Sequence, residues 1–427
     1  MKMQPVAASL LLACLTLFSL SCSDSEVSDG LSLINFTHLD TLVRPVVLED
    51  GRSVRYVHFR ADYPDYRLAR PEKDGDGTVE DAARAVLAYL RWHELSRDST
   101  HFEHITGLVR FLLAMQHEEG GWYNVVFLDA EKGRVLRRGE AAFGYPAAKA
   151  LWALGRSAAF LRGRYPDLAD EVDAAFARVL PRLQAMQKSY PDYTIIDEMH
   201  FPTWLINKHS ADASSELLLG LSAYCRATGK IAAWREVMDR LATGILAMQQ
   251  SDEQRFAHGM FFSYLHYWHG WSNAQAHALV EASALLGRTE LLAAAEKEVR
   301  YFYPWLLERG FADRMDWLRA KKYPSEIVYF PQRAEHIRPV VLASLAVYRE
   351  NGEETFARLA GQAARWLRGK NLAHELMYDA KTGRTKSYIK ARNTANPHST
   401  AAATAESLLL LMEVVSSPVA LRAYHSP

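Results

Sequence analysis

The sequence is poor in cysteine, with Cys14, Cys22 and Cys225 among 427 residues. Cys14 and Cys22 fall in the first 22 positions, so Cys225 has no partner and no disulfide framework is expected. In "LLLGLSAYC" Cys225 reads as a small buried hydrophobe. Net charge is also lacking: 50 Lys and Arg balance 50 Asp and Glu. That removes a general attraction to nucleic acid, and no nucleic-acid partner is expected. Beyond the N-terminus no run approaches the roughly 20 apolar residues of a membrane-spanning helix. There is no Walker loop, no G-x-G-x-x-G opening a helix, no G-x-S-x-G and no H-E-x-x-H, so no cofactor, bound metal or serine triad is expected.

What is present begins with a targeting segment. Met1-Lys2 is a short positive start, and Val6 to Leu20 is apolar but too short to span a bilayer well. "SLSC", Ser19 to Cys22, resembles the lipobox of bacterial lipoproteins, with Leu20 standing where a small residue is commoner. That resemblance implies cleavage, a lipid anchor on Cys22 and a place in the cell envelope. "SDSE" after it is similar to the acidic surface-export signal of Bacteroidetes-type lipoproteins, which implies the outer-membrane surface. The alternative is an ordinary secretory signal with a chance Cys22. The expected organisation is a signal over residues 1–21, a lipidated tether over 22–32, an N-terminal extension over 33–76 and one large domain over 77–427.

That domain repeats itself. "AARAVLAYLRWHEL", "AAKALWALGRSAAFL", "SSELLLGLSAYCRATG", "AQAHALVEASALLG", "IRPVVLASLAVYRENG" and "AATAESLLLLMEVV" are helices apolar on most sides, hence buried. Each of the first five is followed by a more amphipathic helix, and three of those end in "AMQ", at Gln116, Gln187 and Gln249. A buried helix alternating with an amphipathic one, six times, predicts an all-α (α/α)6 toroid with inner and outer rings. An open solenoid is the rival, but it would leave one flank of these apolar helices wet. The sixth outer helix is not evident, and the N-terminal region is a candidate to cover that gap.

The connections are unequal. Inner-to-outer links are short, whereas outer-to-inner links run to roughly 20–28 residues and emerge on one face, where long loops carry function. They gather aromatic and titratable residues: Glu119, Trp122 and Tyr123; Asp197, Glu198, Trp204 and Asp212; Tyr264, Trp268 and Trp271; Asp313, Tyr329 and Glu335; and His398. Rings offer the apolar face of a sugar a platform, and paired carboxylates suit glycosidic cleavage, so the expected partner is an oligosaccharide or polysaccharide. Asp197 and Glu198 follow two isoleucines in "IIDEMH", and apolar surroundings would raise an acid's pKa. Glu119 precedes Gly120-Gly121, which would permit close substrate approach. These three are the expected catalytic carboxylates; Trp122, Tyr123, Trp204, Tyr264, Trp268, Trp271, Tyr329 and His398 are the expected sugar-binding residues. Asp212 reads equally as a helix N-cap.

"ARWLRGKN" with "MYDAKTGR" and "ANPHSTAAATAESLLLL" resembles the last hairpin of toroid proteins of the six-hairpin glycosidase-like superfamily. The resemblance covers nearly the whole mature chain as architecture and implies a carbohydrate-active fold. "NAQAHALVEASALLG" is similar to a segment of the N-acylglucosamine 2-epimerase group, with weaker similarity to uronyl C5-epimerase helical domains. That implies a second chemistry, epimerase or lyase, in which His277 and His398 move a proton across two sugar faces. A third reading is a non-catalytic glycan-binding protein. His277 and Glu281 sit one turn apart; a structural pair, a catalytic His277 oriented by Glu281, and a metal site without further ligands all remain open.

Overall fold

A computed structural model describes residues 30–70, 75–129 and 134–426. The expected signal segment, with Cys14 and Cys22, lies outside the described residues. Six inner helices are present: α1 (Val79–Ser96), α3 (Tyr145–Arg162), α5 (Ala211–Thr228), α7 (Gln275–Leu286), α9 (Ala334–Asn351) and α11 (Ala401–Val415). Each packs on the next, and α11 packs back on α1, so the ring is closed. Closure is what the all-round apolarity of these helices demands, because every flank meets a neighbour. Small residues set the spacing. A Cβ on Gly155 of α3 would collide with the carbonyl of Gly220 on α5, and one on Gly220 with the backbone of Leu151.

The outer ring is α2 (Phe102–Ala114), α4 (Pro166–Met186), α6 (Ile231–Ala247), α8 (Thr289–Lys297), α10 (Glu354–Ala364) and α12 (Pro418–His425). A π turn, Glu298–Phe302, and a last helical piece, Tyr303–Glu308, prolong α8. The sixth outer helix is therefore α12, eight residues long and hard to discern in the sequence. It packs on α10, while the short helix Thr37–Leu42 lies against α11. The "AMQ" repeat has a structural use. Gln116, Gln187 and Gln249 donate their side-chain amides to Ala175, Val237 and Ala294 carbonyls, at 3.0, 3.0 and 2.7 Å. Each tie joins the end of one outer helix to the middle of the next.

The long links are less irregular than their composition suggests. Strands β1 (Val43–Leu48) and β2 (Ser53–Val57) share a sheet with a hairpin of the first long link, Val125–Asp129 and Arg134–Arg138. The second link folds as the hairpin Tyr193–Ile196 with Met199–Pro202, and Tyr267–His269 pairs with Arg314–Asp316 across the third and fourth.

Candidate functional site

The inner helices begin on the long-loop face, around a cavity of about 530 Å³. Three of its carboxylates occupy equivalent places. Glu80, Asp212 and Glu335 are the second residues of α1, α5 and α9, every other helix of the ring. The partial positive charge of a helix N-terminus favours an acid there. Asp313 and Arg314 reach the cavity from the strand before α9; Trp271 and Ser272 lead into α7, and Tyr145 opens α3. Arg84, one turn below Glu80, and Arg333, the N-cap of α9, bring positive charge.

Asp313 is 1% exposed and clamped from both sides. Its Oδ1 lies 3.1 Å from His336 Nε2 and its Oδ2 accepts from Arg314 Nη1 at 2.8 Å. His336 Nδ1 accepts the Arg333 backbone N–H at 3.0 Å, which leaves Nε2 as the protonated nitrogen that donates to Asp313. Asp212 accepts from Ser210 Oγ and faces His269 Nε2 at 3.3 Å. The His269 ring donates from Nδ1 to the Trp271 carbonyl at 2.7 Å and stacks on the Trp271 indole, centroids 3.8 Å apart. Ser272 Oγ donates to Tyr145 Oη at 2.5 Å, and Tyr145 donates to Glu216 at 3.3 Å. Burial, reinforced by Glu216, pushes the Tyr145 phenol well above its ordinary pKa, so it serves as a donor. Glu335 Oε2 is buried with no hydrogen-bond partner among the described residues. Its neighbour Asp81 is pushed up to about 6 by burial, with Arg84 opposing and Glu80 and Glu335 adding to the rise.

Beneath the cavity lies a fully buried charge layer. Lys149 Nζ meets Glu216 at 2.7 Å, Arg338 meets Glu216 at 2.9 Å and Glu406 at 2.6 Å, and Arg84 meets Glu406 at 3.0 Å. Three or four residues on, the same helices present Leu87, Trp152, Leu219, Leu342 and Leu409, an apolar layer across the ring. His277 completes it. The helix that carries His277 has only 12 residues, so a position near its start already lies at mid-depth of the toroid. His277 therefore faces a separate chamber on the short-loop side instead of the long-loop cavity. Its Nε2 is 3.7 Å from Glu281, which is in turn bound by Arg226.

Most other residues expected at the site lie elsewhere. Asp197 and Glu198 form the two-residue turn of the second-link hairpin, at φ 49° and 66°. Asp197 is exposed, and Lys321, 2.7 Å away, holds its carboxyl below the usual range, so the expected apolar surroundings are absent. Glu119 is exposed, and Gly120 serves a close approach to the Arg178 carbonyl of α4 in place of a substrate. Trp122, Trp204 and Trp268 are at most 1% exposed and cannot stack on a ligand. The Trp122 and Trp204 indoles donate instead to Leu112 and Arg240 carbonyls of the outer ring. Tyr123 is half-buried under Arg137, Tyr329 is half-buried, and Tyr264 is exposed beside His209. His398 Nδ1 sits 3.0 Å from Asp62 of the N-terminal region. Trp271 alone of the expected sugar-binding residues lines the cavity. Asp212 lines it too, inside the helix and not as its cap. Glu80, Arg84, Tyr145, Ser272 and Arg333 were missed; the one available signal was the acid recurring at the second position of inner helices. Among the described residues no cluster of three or more His, Cys, Asp or Glu could hold a metal ion.

No family model matches the chain, and no curated protein matches its sequence. Solved structures do match its shape. Cellobiose 2-epimerase from Spirochaeta thermophila superposes with TM-score 0.63 at 13% identity, over 93% of this chain and 98% of that one. Cellobiose 2-epimerase from Bacillus thermoamylovorans gives 0.62 at 12%, over 91% and 98%. A metagenome-derived family 9 endoglucanase gives 0.55 at 13%, over 92% and 81%. The chain thus shares with these structures the fold of a closed (α/α)6 toroid.

Proposed function

We propose that this protein is a carbohydrate-active enzyme that hydrolyses glycosidic bonds of an oligosaccharide in the long-loop cavity. The observation that carries the reading is the placement of Glu80, Asp212, Asp313 and Glu335 on one cavity beside Trp271. Their environments divide the labour. Asp212, half-buried at the start of α5 and facing His269, is suited to act as the base or nucleophile at the anomeric carbon, while Asp313, clamped by His336 and Arg314, fixes the wall beside it. Glu335, whose Oε2 has no hydrogen-bond partner among the described residues, is suited to act as the general acid at the leaving oxygen. Trp271 stacks the sugar. The same fold in endoglucanases and cellobiose 2-epimerases supports a carbohydrate substrate.

A second reading, epimerisation, is favoured by the His269–Asp212 pair behind Trp271, since an imidazole can take a proton from a sugar carbon. The two separate on one oligosaccharide panel, scored for new reducing ends and for deuterium uptake in heavy water. Hydrolysis predicts new reducing ends, lost by about 10²–10⁴-fold in Asp212→Asn and Glu335→Gln and retained in the hairpin-tip variant Asp197→Asn. Deuterium uptake without cleavage, abolished by His269→Asn, would replace hydrolysis with epimerisation. Binding without either would make the protein a glycan receptor.

The N-terminal segment supports a further element, a lipid anchor on Cys22 that holds the enzyme at the cell envelope. Cys22→Ala should then move the protein from the membrane fraction to the soluble fraction of the native host.

A further inference from the structure

We infer that the short-loop face of the toroid carries a second binding site, distinct from the long-loop cavity, for an oxyanion of phosphate size. The inference stands on the inner ring itself and is independent of the reaction proposed above.

The site is the chamber of about 80 Å³ that opens below the apolar layer. That is well below the roughly 300–1,000 Å³ of pockets that take drug-sized ligands. Four arginines line it, Arg91, Arg156, Arg226 and Arg349. Arg91 Nε lies 2.6 Å from Glu413, to which Arg349 is also bound; Arg156 holds Glu94 at 2.7 and 2.8 Å, and Arg226 holds Glu281. Four cations thus share three carboxylates, Glu94, Glu281 and Glu413, which leaves one positive charge in excess. A guanidinium has five N–H donors, more than these pairs use, so donors remain for a ligand.

The second observation is His277. It is 9% exposed and lines the chamber, where its Nε2 lies 3.7 Å from Glu281, which Arg226 also holds. The chamber floor, Leu87, Trp152, Leu219, Leu342 and Leu409, keeps water off one side and strengthens attraction between the arginines and an anion. Arg226 and Arg349, with side chains 43% and 46% exposed, give access from solvent.

The test is calorimetric titration of the full mature chain with inorganic phosphate, at constant ionic strength maintained with sodium chloride. Saturable binding of one phosphate is expected. It should weaken at least tenfold in Arg226→Gln and in Ala223→Glu, which places a carboxylate in the wall without touching an existing ion pair. Heat no greater than that of added chloride, or unchanged affinity in Ala223→Glu, overturns the site. Should the arginine variant fail to fold, tungstate soaked into crystals of the unaltered chain decides: density among the four guanidiniums supports the site, and density only elsewhere overturns it. Glucose 6-phosphate in competition identifies the source. Displacement of phosphate assigns the terminal group of a phosphorylated metabolite, and its absence assigns the free ion.

Discussion

Glu298 and Glu406 are both fully buried carboxylates, yet they titrate in opposite directions. Burial pushes Glu298 up to about 8, against hydrogen bonds from the Phe261 N–H and the Tyr303 hydroxyl, both at 3.0 Å. Burial also pushes Glu406 up, but Arg338, Lys149 and Arg84 outweigh it and hold its pKa low. Glu298 therefore makes stability fall with pH. Between the ordinary glutamate value near 4.5 and about 8 the folded state holds a proton that the unfolded state has lost, so each rise in pH favours unfolding. The contribution is complete below the lower value and gone above the higher one. Glu298→Gln keeps an acceptor oxygen for the Phe261 N–H and meets the Tyr303 hydroxyl oxygen with its amide as donor, without the titration. Its melting temperature should exceed that of the unaltered chain at pH 9, and the difference should shrink toward pH 4. A difference that does not change with pH would refute this account. Asp197 shows why such environments are hard to read in sequence. Its isoleucine neighbours are sequential, but in a hairpin they point to alternate faces, and a two-residue turn at positive φ carries both acids to the tip.

At the scale of elements, the helical rings were legible and the loops were not. Ala-rich helices apolar on most sides announce burial wherever they lie, and the pairing with amphipathic helices announces the ring. The N-terminal truncation of α7 relative to its neighbours has no comparable signal, and it decides where His277 points. The link aromatics have the same difficulty, because a tryptophan on a carbohydrate-facing loop and one in a core share their local sequence. The end of the "ARWLRGKN" stretch is likewise scaffold: Asn371 donates to the Trp366 and Glu375 carbonyls at 2.7 and 2.8 Å and closes a turn. Two tryptophan variants separate the roles. Trp204→Ala, which loses a buried ring and its bond to the Arg240 carbonyl at 2.8 Å, should cost about 3–5 kcal/mol of stability. Trp271→Ala, at the cavity wall, should leave the denaturation midpoint within about 1 kcal/mol while weakening oligosaccharide binding about tenfold or more. Equal stability losses in the two would remove Trp271 from the sugar platform.

Across the whole molecule, the inner ring is stacked in layers, the charge layer drawn from five of the six inner helices and the apolar layer from all six. Acids at helix starts line the cavity; a buried charge layer lies beneath them, then an apolar layer, then the arginine chamber. The charge layer is the means by which helices far apart in sequence are held in one register, since Glu216 of α5 answers Lys149 of α3 and Arg338 of α9, and Glu406 of α11 answers Arg84 of α1. Its spacing is present in the sequence, as Arg84, Leu87 and Arg91 or Lys149, Trp152 and Arg156, but it becomes meaningful only once the helices are known to face one axis. Burial draws Lys149 down to about 8 although Glu216 opposes the fall, so the ammonium depends on its partner. Removing one member strands the other in a medium where an uncompensated charge is expensive. Lys149→Met should cost about 3–5 kcal/mol in chemical denaturation at neutral pH. Adding Glu216→Leu should not recover the loss, because Arg338 and Tyr145 also rely on that carboxylate, at 2.9 and 3.3 Å. Full recovery in the double variant would reduce the layer to an isolated pair. Failure to recover would mean that the cavity floor, Tyr145 included, is set by charges contributed by helices from around the whole ring.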